Sequence, residues 1–213
     1  MRTYPTLLLL FLTFCLCGAE KKKDEDFVSL FDGKTLNGWE GKKEFFRVEN
    51  GAIVAGFIDK KVPHNEFLVS KKEYADFELR FEAKLVGQGN NAGVQFRSQR
   101  IANHHEMIGY QCDIGSWSKG TIWGFLYDES RRRKMLAQAP QEKVNSWVKK
   151  KGEWNKLVVH AKGPVIKIWL NGKQTVDFTE SQKEIPLSGK LGLQIHGGPP
   201  LECHYRKIQI KTL

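Results

Sequence analysis

The stretch Asp76–Val86, DFELRFEAKLV, decides the fold class of this chain. Its apolar residues stand at every second position from Phe77 to Leu85, and Glu, Arg and Lys lie between them. A helix would spread these apolar side chains around its circumference, whereas a strand directs all of them to one side. The stretch is therefore predicted to be a half-buried β-strand.

Strand patterns of this kind continue along the chain, and no long amphipathic helix is predicted after residue 26. The other predicted strands are FFRV, AIVAG, EFLVS, AGVQFRS, MIGYQCDIG, TIWGFLYD, WNKLVVHAK, VIKIWL, KLGLQIH and RKIQIKTL. Asn171-Gly172 predicts a two-residue hairpin turn. Residues 129–153 are predicted to be a long loop with one short strand at Lys134–Ala137. So many short strands predict an all-β fold, a two-sheet jelly-roll sandwich.

The first 26 residues differ in composition from the rest. Arg2 precedes an apolar run at residues 7–16, and the small Gly18 and Ala19 follow, which is the layout of a secretory signal. We predict a signal peptide at 1–19, a charged linker at 20–26 and a single β-sandwich domain at 27–213. We therefore predict export to the periplasm or cell envelope. Lipidation of Cys15 or Cys17, as in a bacterial lipoprotein, stays open as an alternative. No other apolar run reaches the roughly 18 residues of a transmembrane helix.

The formal net charge of +10 raises the question of a nucleic-acid partner. The basic residues are dispersed, only ESRRRK at 129–134 is concentrated, and no nucleic-acid-binding motif accompanies it. No nucleic-acid partner is therefore predicted, and the charge favours solubility or attraction to an acidic surface. Cys112 and Cys203 could pair in an exported protein or remain buried thiols.

Three predicted strands carry an unusual second face, on which glycine is followed by an amide and then by an ionisable group. The triplets are Gly93-Gln95-Arg97, Gly109-Gln111-Asp113 and Gly192-Gln194-His196. Glycine leaves room for close approach to a sheet, and these polar groups hydrogen-bond hydroxyls and carbonyls in fixed directions. We predict that they converge in a polar cleft for a carbohydrate, where Trp117 or Trp123 could stack on a sugar ring.

Residues outside these faces are predicted to contribute to the same cleft. The residues that could reach it from neighbouring loops are Glu66, Tyr127, Asp128 and Glu129. His104 and His105 point to opposite sides if they lie on a strand, so they could share a metal ion only in a loop. Motifs of nucleophile elbows, zincins and nucleotide-binding loops do not occur in the sequence.

A family resemblance rests on motifs that keep their order along the chain. They are FVSLFDGKTLNGWEG, FRVENGAIV, YADFELRFEAKL, NAGVQFRS, MIGYQCDIG, GFLYDESRRRK, WNKLVVHAKGPVIKIWLNG and GKLGLQIHGG. Together they resemble the bacterial 3-keto-disaccharide hydrolase family, which implies a concanavalin A-like jelly roll and cleavage of glycosides oxidised at carbon 3. The chain departs from the family at Gly109-Tyr110-Gln111-Cys112-Asp113, because many members have Gly-Tyr-Glu-x-Gln. This departure has three explanations: the carboxylate has moved two positions along the same face, the substrate is different, or catalysis is lost.

The activity that the resemblance implies relaxes the need for two carboxyl groups beside the glycosidic bond. A keto group acidifies the hydrogen on carbon 2, so one base can remove it, the enolate can expel the glycosidic oxygen, and water can add back. Asp113 or His196 is predicted to be the base. Arg97, with or without a divalent cation, is predicted to stabilise the enolate. The amides of Gln95, Gln111 and Gln194 are predicted to hold sugar hydroxyls.

Two other classes of function stay open on the sequence alone. A non-catalytic carbohydrate-binding module would use the same amides and tryptophans, and the Gln at position 111 favours it. An envelope interaction domain would use the basic loop at Arg131–Arg133, and its binding would weaken with salt.

Overall fold

The computed structural model describes Met1, residues 26–118 and residues 120–213. Two antiparallel sheets account for most of these residues. In spatial order the first sheet consists of β14 (Lys173–Thr179), β13 (Val165–Leu170), β12 (Asn155–Lys162), β6 (Phe77–Gly87), β16 (Leu201–Thr212), β4 (Ala52–Phe57) and β3 (Phe46–Glu49), with β1 (Val28–Ser29) paired to β16. The second consists of β11 (Lys134–Ala137), β10 (Leu126–Glu129), β8 (Met107–Trp117), β7 (Asn91–Arg100), β15 (Gly189–Ile195), β5 (Glu66–Tyr74) and β2 (Trp39–Glu40), with β9 (Gly120–Thr121) paired to β8.

The core lies between the two sheets. The apolar side chains of β6, predicted to share one face, are all 2% exposed or less. They meet the apolar face of the second sheet, where the rings of Phe96 and Tyr110 stack with their centres 5.7 Å apart. The alternation of apolar and polar residues thus produces the two facing layers of a sandwich, which confirms the predicted all-β class.

The structure corrects two of the local predictions. TIWGFLYD is not one strand, because the chain turns at Gly124, whose φ is +72°, and separates β9 from β10. The predicted loop at 129–153 does contain β11 where expected, but it also contains a helix, α1 (Gln141–Trp147), that was not predicted. The helix has seven residues and buries only Val144, so its sequence carries little periodic signal. The hairpin at Asn171-Gly172 is confirmed, with φ of +49° and +81°.

Cys112 and Cys203 are both buried free thiols, so the open question of a disulfide is answered. The predicted signal peptide, the cysteines considered for lipidation and most of the charged linker lie outside the described residues. Within the described residues, no helix has the length and apolar character needed to cross a membrane.

Candidate active site

The register of the second sheet brings the predicted polar faces into rows across neighbouring strands. Gly93 of β7 lies between Asp113 of β8 and Gln194 of β15. In the next row Gln95 pairs with Gln111, and Gln111 pairs with Tyr127 of β10. Residues that are distant in sequence therefore become side-chain neighbours on the face that points away from the core.

A cavity of about 240 Å³ opens over these rows. Its walls are formed by Asn65, Asn91, Gln111, Asp113, Trp117, Tyr127, Glu129 and His196. Two predicted catalytic residues, Asp113 and His196, thus line one cavity together with three of the predicted substrate-binding residues. Titratable and amide groups that converge in a concavity characterise a ligand or active site.

Asp113 is the most deeply buried acid in this cavity, with 1% of its surface exposed. Its Oδ1 accepts a hydrogen bond of 2.9 Å from Nε2 of Gln111. Burial raises the pKa of Asp113 well above its ordinary value, the Gln111 hydrogen bond works against this, and the negative charge of Glu129 adds to it. Asp113 can therefore retain a proton at a pH at which exposed aspartates are ionised.

Glu129 is the second carboxyl of the cavity. Burial and the negative charge of Glu106 raise its pKa, whereas the Ser130 main chain, Gln194 and Arg133 lower it. Tyr127 also has a raised pKa, mainly through burial and then through Glu129 and Asp113. The tyrosine hydroxyl therefore keeps its proton, and the negative charge of Glu129 raises the pKa of both Tyr127 and Asp113.

Several polar atoms around the cavity are buried and have no hydrogen-bond partner among the described residues. These atoms are Asn91 Oδ1, Gln95 Oε1, Glu106 Oε2, Gln111 Oε1, Asp113 Oδ2, Gln194 Oε1 and Gln194 Nε2. The Gln194 amide lies near enough to Glu129 to affect its pKa, but outside hydrogen-bond geometry. Buried polar atoms are nearly always paired in folded proteins, so a group of unpaired ones on one face indicates a place where a ligand or water completes the bonding.

His196 is held by its own turn. Its Nδ1 lies 2.6 Å from the carbonyl oxygen of Gly197, which can only accept, so Nδ1 carries a hydrogen and Nε2 of the neutral ring is free to accept a proton. The side chain of Asn65 fixes this turn, because its Oδ1 accepts 2.9 Å from the Gly197 N–H and its Nδ2 donates 2.9 Å to Glu106.

The glycines of the three faces have a different purpose from the predicted one. A Cβ on Gly93 would lie 2.5 Å from Cδ of Gln111, and one on Gly192 would lie 2.6 Å from the sulfur of Met107. At Gly109 the space is occupied by Ser98. The glycines therefore make room for side chains of the protein, and at Gly93 that side chain is part of the cavity wall.

Arg97 does not reach the cavity, and this prediction was wrong. The alternation of β7 breaks at a bulge after Phe96, where Arg97 adopts a φ of +47°. Its guanidinium donates to the carbonyls of Ala75 and Gly163 at 2.8 and 2.7 Å and to Asp76 at 2.9 Å. Arg97 therefore ties two turns to β7. Arg133 is instead the cation near enough to affect both Glu129 and Tyr127.

Asp128 was predicted to reach the cleft but lies in a separate ionic cluster. It follows Tyr127 on β10 and so points to the opposite face. Its carboxylate accepts hydrogen bonds from Arg131, at 2.9 Å, and from Arg132. Arg132 also pairs with Glu180 at 2.7 Å, so Asp128 contributes to packing on the core side.

Glu66 and Trp123 also lie away from the Asp113 cavity. Glu66 forms an ion pair with Lys42 at 2.5 Å, lies 3.2 Å from Nδ1 of His64, and lines another cavity of about 620 Å³. Trp123 is 7% exposed and packs into the core cluster. Trp117, the alternative stacking residue, takes the position beside the cavity.

The remaining predicted amides and histidines lie outside the wall of the Asp113 cavity. Gln95 and Gln194 lie on the predicted face and are fully buried beside the cavity rather than in its wall. His104 and His105 do lie in a loop, and their rings stack at 4.3 Å. Across the described part of the chain, no three His, Cys, Asp or Glu side chains are grouped as metal ligands.

Two cavity residues were not predicted. Asn91 follows the same two-residue alternation as Gly93 and Gln95, so the pattern of β7 could have indicated it. Asn65 lies in the turn before β5 and has no periodic signal in the sequence. Its position depends on the long-range contact with Gly197.

A polar, partly unpaired cavity on the outer face of one sheet of an antiparallel β-sandwich defines a protein with a ligand-binding or active site on that sheet. The comparison with family models identifies the family: residues 26–211 match the 3-keto-alpha-glucoside-1,2-lyase-like domain. The chain belongs to this family, which confirms the resemblance found in the sequence motifs.

Individual relatives agree with this assignment. The chain is 25% identical to a 3-keto-disaccharide hydrolase of Bacteroides thetaiotaomicron, over 89% of this chain and 79% of the relative. A solved structure of a candidate glycosyl hydrolase from Parabacteroides distasonis has a TM-score of 0.66 at 21% identity, over 91% of this chain and 97% of the other. A Bacillus licheniformis β-glucanase shares the fold with a TM-score of 0.55 at 13% identity, over 88% and 97% of the two chains. These matches confirm the predicted jelly roll and support the prediction of an enzyme.

Proposed function

We propose that the protein hydrolyses the glycosidic bond of 3-keto-glycosides in the cavity lined by Asp113, Glu129 and His196. The observation that carries the proposal is the convergence of these groups, with unpaired buried acceptors, on one face of the family's fold. The named relative from Bacteroides thetaiotaomicron, a 3-keto-disaccharide hydrolase, supports the substrate class.

The first step is removal of the hydrogen on carbon 2. Nε2 of His196 takes this proton, because Nδ1 is committed to Gly197. The C–H electron pair moves into an enolate whose charge rests on the keto oxygen. The hydroxyl of Tyr127, which keeps its proton, donates a hydrogen bond to that oxygen, and Arg133 supplies positive charge nearby.

The second step is elimination. The enolate re-forms the carbonyl, a double bond forms between carbons 1 and 2, and the bond from carbon 1 to the glycosidic oxygen breaks. The carboxyls of Asp113 and Glu129 supply the proton to the leaving oxygen, since both pKa values are raised. The hydroxyl of a water molecule then adds to carbon 1, the proton of that water restores the carboxyl that protonated the leaving oxygen, and His196 returns its proton to carbon 2. The products are a free 3-keto sugar and an alcohol.

Product release tests the proposal directly. Purified protein is incubated with 3-keto-trehalose or a 3-keto-glucoside and with the unoxidised parent sugar, with and without a chelator. We expect release from the keto substrates alone, and loss of release with chelator would add a metal to the mechanism. An Asp113→Asn, His196→Ala double variant that keeps full activity would refute the residue assignment. Absence of release together with calorimetric binding would favour a carbohydrate-binding module instead.

A further inference from the structure

Two further cavities adjoin the Asp113 cavity through shared wall residues, and the row of three is called the groove. A second cavity of about 250 Å³ shares Asn91, Trp117 and His196 with it. A third cavity of about 300 Å³ shares Asn90 and Ser116 with the second. The third cavity is also lined by Leu85 and Asn155 of the first sheet, so a ligand whose reacting ring occupies the Asp113 cavity would extend towards the edge of the sandwich.

The far end of the groove is formed by a basic turn, Lys149–Lys151. Its main chain is fixed: the Lys149 N–H donates 2.9 Å to Asn155 Oδ1, and the Lys150 N–H donates 3.1 Å to Glu153 Oε2. The Gly152 N–H donates 3.0 Å to the carbonyl of Leu85 on β6. All three lysines are exposed and line the third cavity, and their backbone is held by these bonds.

The positive charge of this turn is not neutralised within the described residues. Lys149 and Lys150 have no ion-pair partner there, and the Lys151 ammonium donates 2.8 Å to the neutral carbonyl of Gly89. Burial lowers the pKa of Lys151, so its charged form would gain from a nearby anion. Among the described residues that line this cavity, Glu153 is the single acid, and its Oε2 is already engaged with the main chain.

An exposed aromatic stands where the groove leaves the Asp113 cavity. Trp117 is 43% exposed and lines both the first and the second cavity. Its ring meets Tyr127 edge-on at 5.7 Å, which holds the indole in place. Such a surface suits the flat face of a sugar or phenolic ring that passes from one cavity to the next.

We propose that the Lys149–Lys151 turn is a subsite for an anionic group on the leaving part of the substrate. The preferred substrates are then 3-keto-glycosides whose aglycone carries a carboxylate or sulfonate, stacks on Trp117 and reaches the three ammonium groups. The inference rests on the proposed function, because it places the 3-keto ring in the Asp113 cavity.

The test compares aglycones of similar size and different charge. The probes are the 4-carboxyphenyl, 4-sulfophenyl and neutral 4-(hydroxymethyl)phenyl 3-keto-α-glucosides, and kcat/KM is measured at low and high NaCl. The subsite variant is Lys149→Glu with Lys150→Glu. The matched control is Lys43→Glu with Lys183→Glu, which reverses two exposed lysines that line none of the three cavities.

We expect wild type and control to prefer both anionic substrates by about tenfold, with a preference that decreases as salt rises. The subsite variant should lose this preference while its kcat/KM for the neutral substrate stays unchanged. Equal rates on charged and neutral substrates would overturn the subsite and leave the proposed function intact. If no keto substrate is cleaved, the proposed function fails, and calorimetric titration of the same glycosides still decides whether the basic turn binds the anion.

Discussion

Two buried polar clusters lie on the second sheet, and they differ in how their charges are satisfied. On the core side, both carboxylate oxygens of Asp128 and both of Glu180 have arginine partners. The hydroxyl of Tyr110 donates a further 2.7 Å bond to Glu180. On the outer side, Asp113 has one amide partner and an unpaired oxygen.

The pKa values follow from this difference. In the core-side cluster burial opposes ionisation of Glu180, but the hydrogen bonds from Arg132 and Tyr110 outweigh it and lower the pKa of Glu180 to about 2. In the outer cluster burial raises the pKa of Asp113, and among the described residues only the neutral Gln111 amide opposes this rise. A paired cluster therefore favours the folded state, whereas an unpaired cluster costs stability and suits proton transfer.

The largest expected effect is on activity, from Asp113→Asn. An amide cannot transfer the proton, so we expect kcat/KM to decrease by about 100-fold or more. The pKa of Asp113 is higher in the folded than in the unfolded chain. Once the pH exceeds the unfolded-state pKa, the wild-type carboxyl therefore lowers the free energy of unfolding. The variant should therefore melt at the same or a higher temperature at neutral pH. A clear drop in melting temperature would show that Asp113 is structural.

Asp128→Asn should have the opposite effect to Asp113→Asn, with lower stability and nearly unchanged activity. The change leaves Arg131 without its buried carboxylate and Arg132 with Glu180 alone, which costs roughly 3 kcal/mol of the free energy of unfolding. Chemical denaturation at neutral pH measures this cost. The folded fraction should keep near-normal kcat/KM, and a selective loss of activity without destabilisation would place Asp128 in the reaction after all.

Gly93→Ala should disturb the outer cluster only through steric contact of the added methyl group. The added methyl group would meet the Gln111 side chain at 2.5 Å and push it away from Asp113. We expect a decrease in kcat/KM of about tenfold and a cost in stability of about 1 kcal/mol. Gly38→Ala is a control for the chemical change, because nothing lies within 4 Å of its added methyl, although its φ of +87° adds strain. Normal activity of Gly93→Ala would mean that Gln111 is free to move.

The smallest expected effect is on the pH dependence of stability, through Glu180. The folded-state pKa of Glu180 is lowered from an ordinary 4.5 to about 2, so its stabilising contribution is complete above pH 4.5 and is lost as pH falls towards 2. Acid unfolding of wild type and Glu180→Gln, followed by circular dichroism, should show a steeper loss of stability in wild type over this range. Parallel curves would contradict the assignment.

The candidate site shows where sequence patterns are sufficient and where they are not. Gln111 and Asp113 could be placed on one face, because the two-residue period of a strand is strict. The same period failed at Arg97, since a bulge after Phe96 changed the direction of the side chain. Asp128 failed because it was expected to reach the cleft together with its neighbour Tyr127, whereas successive residues of β10 point to opposite faces.

The sequence by itself determined the strands, their buried faces and the polar triplets, because these depend on local alternation and on turn residues such as Asn171-Gly172. Only the tertiary structure decided which triplets meet. Strand order and register place Gln194 and Asp113 on either side of Gly93, and the distant Gly197 N–H fixes Asn65 beside His196. Such contacts depend on how the strands are ordered and paired across the sheet, which no local pattern encodes.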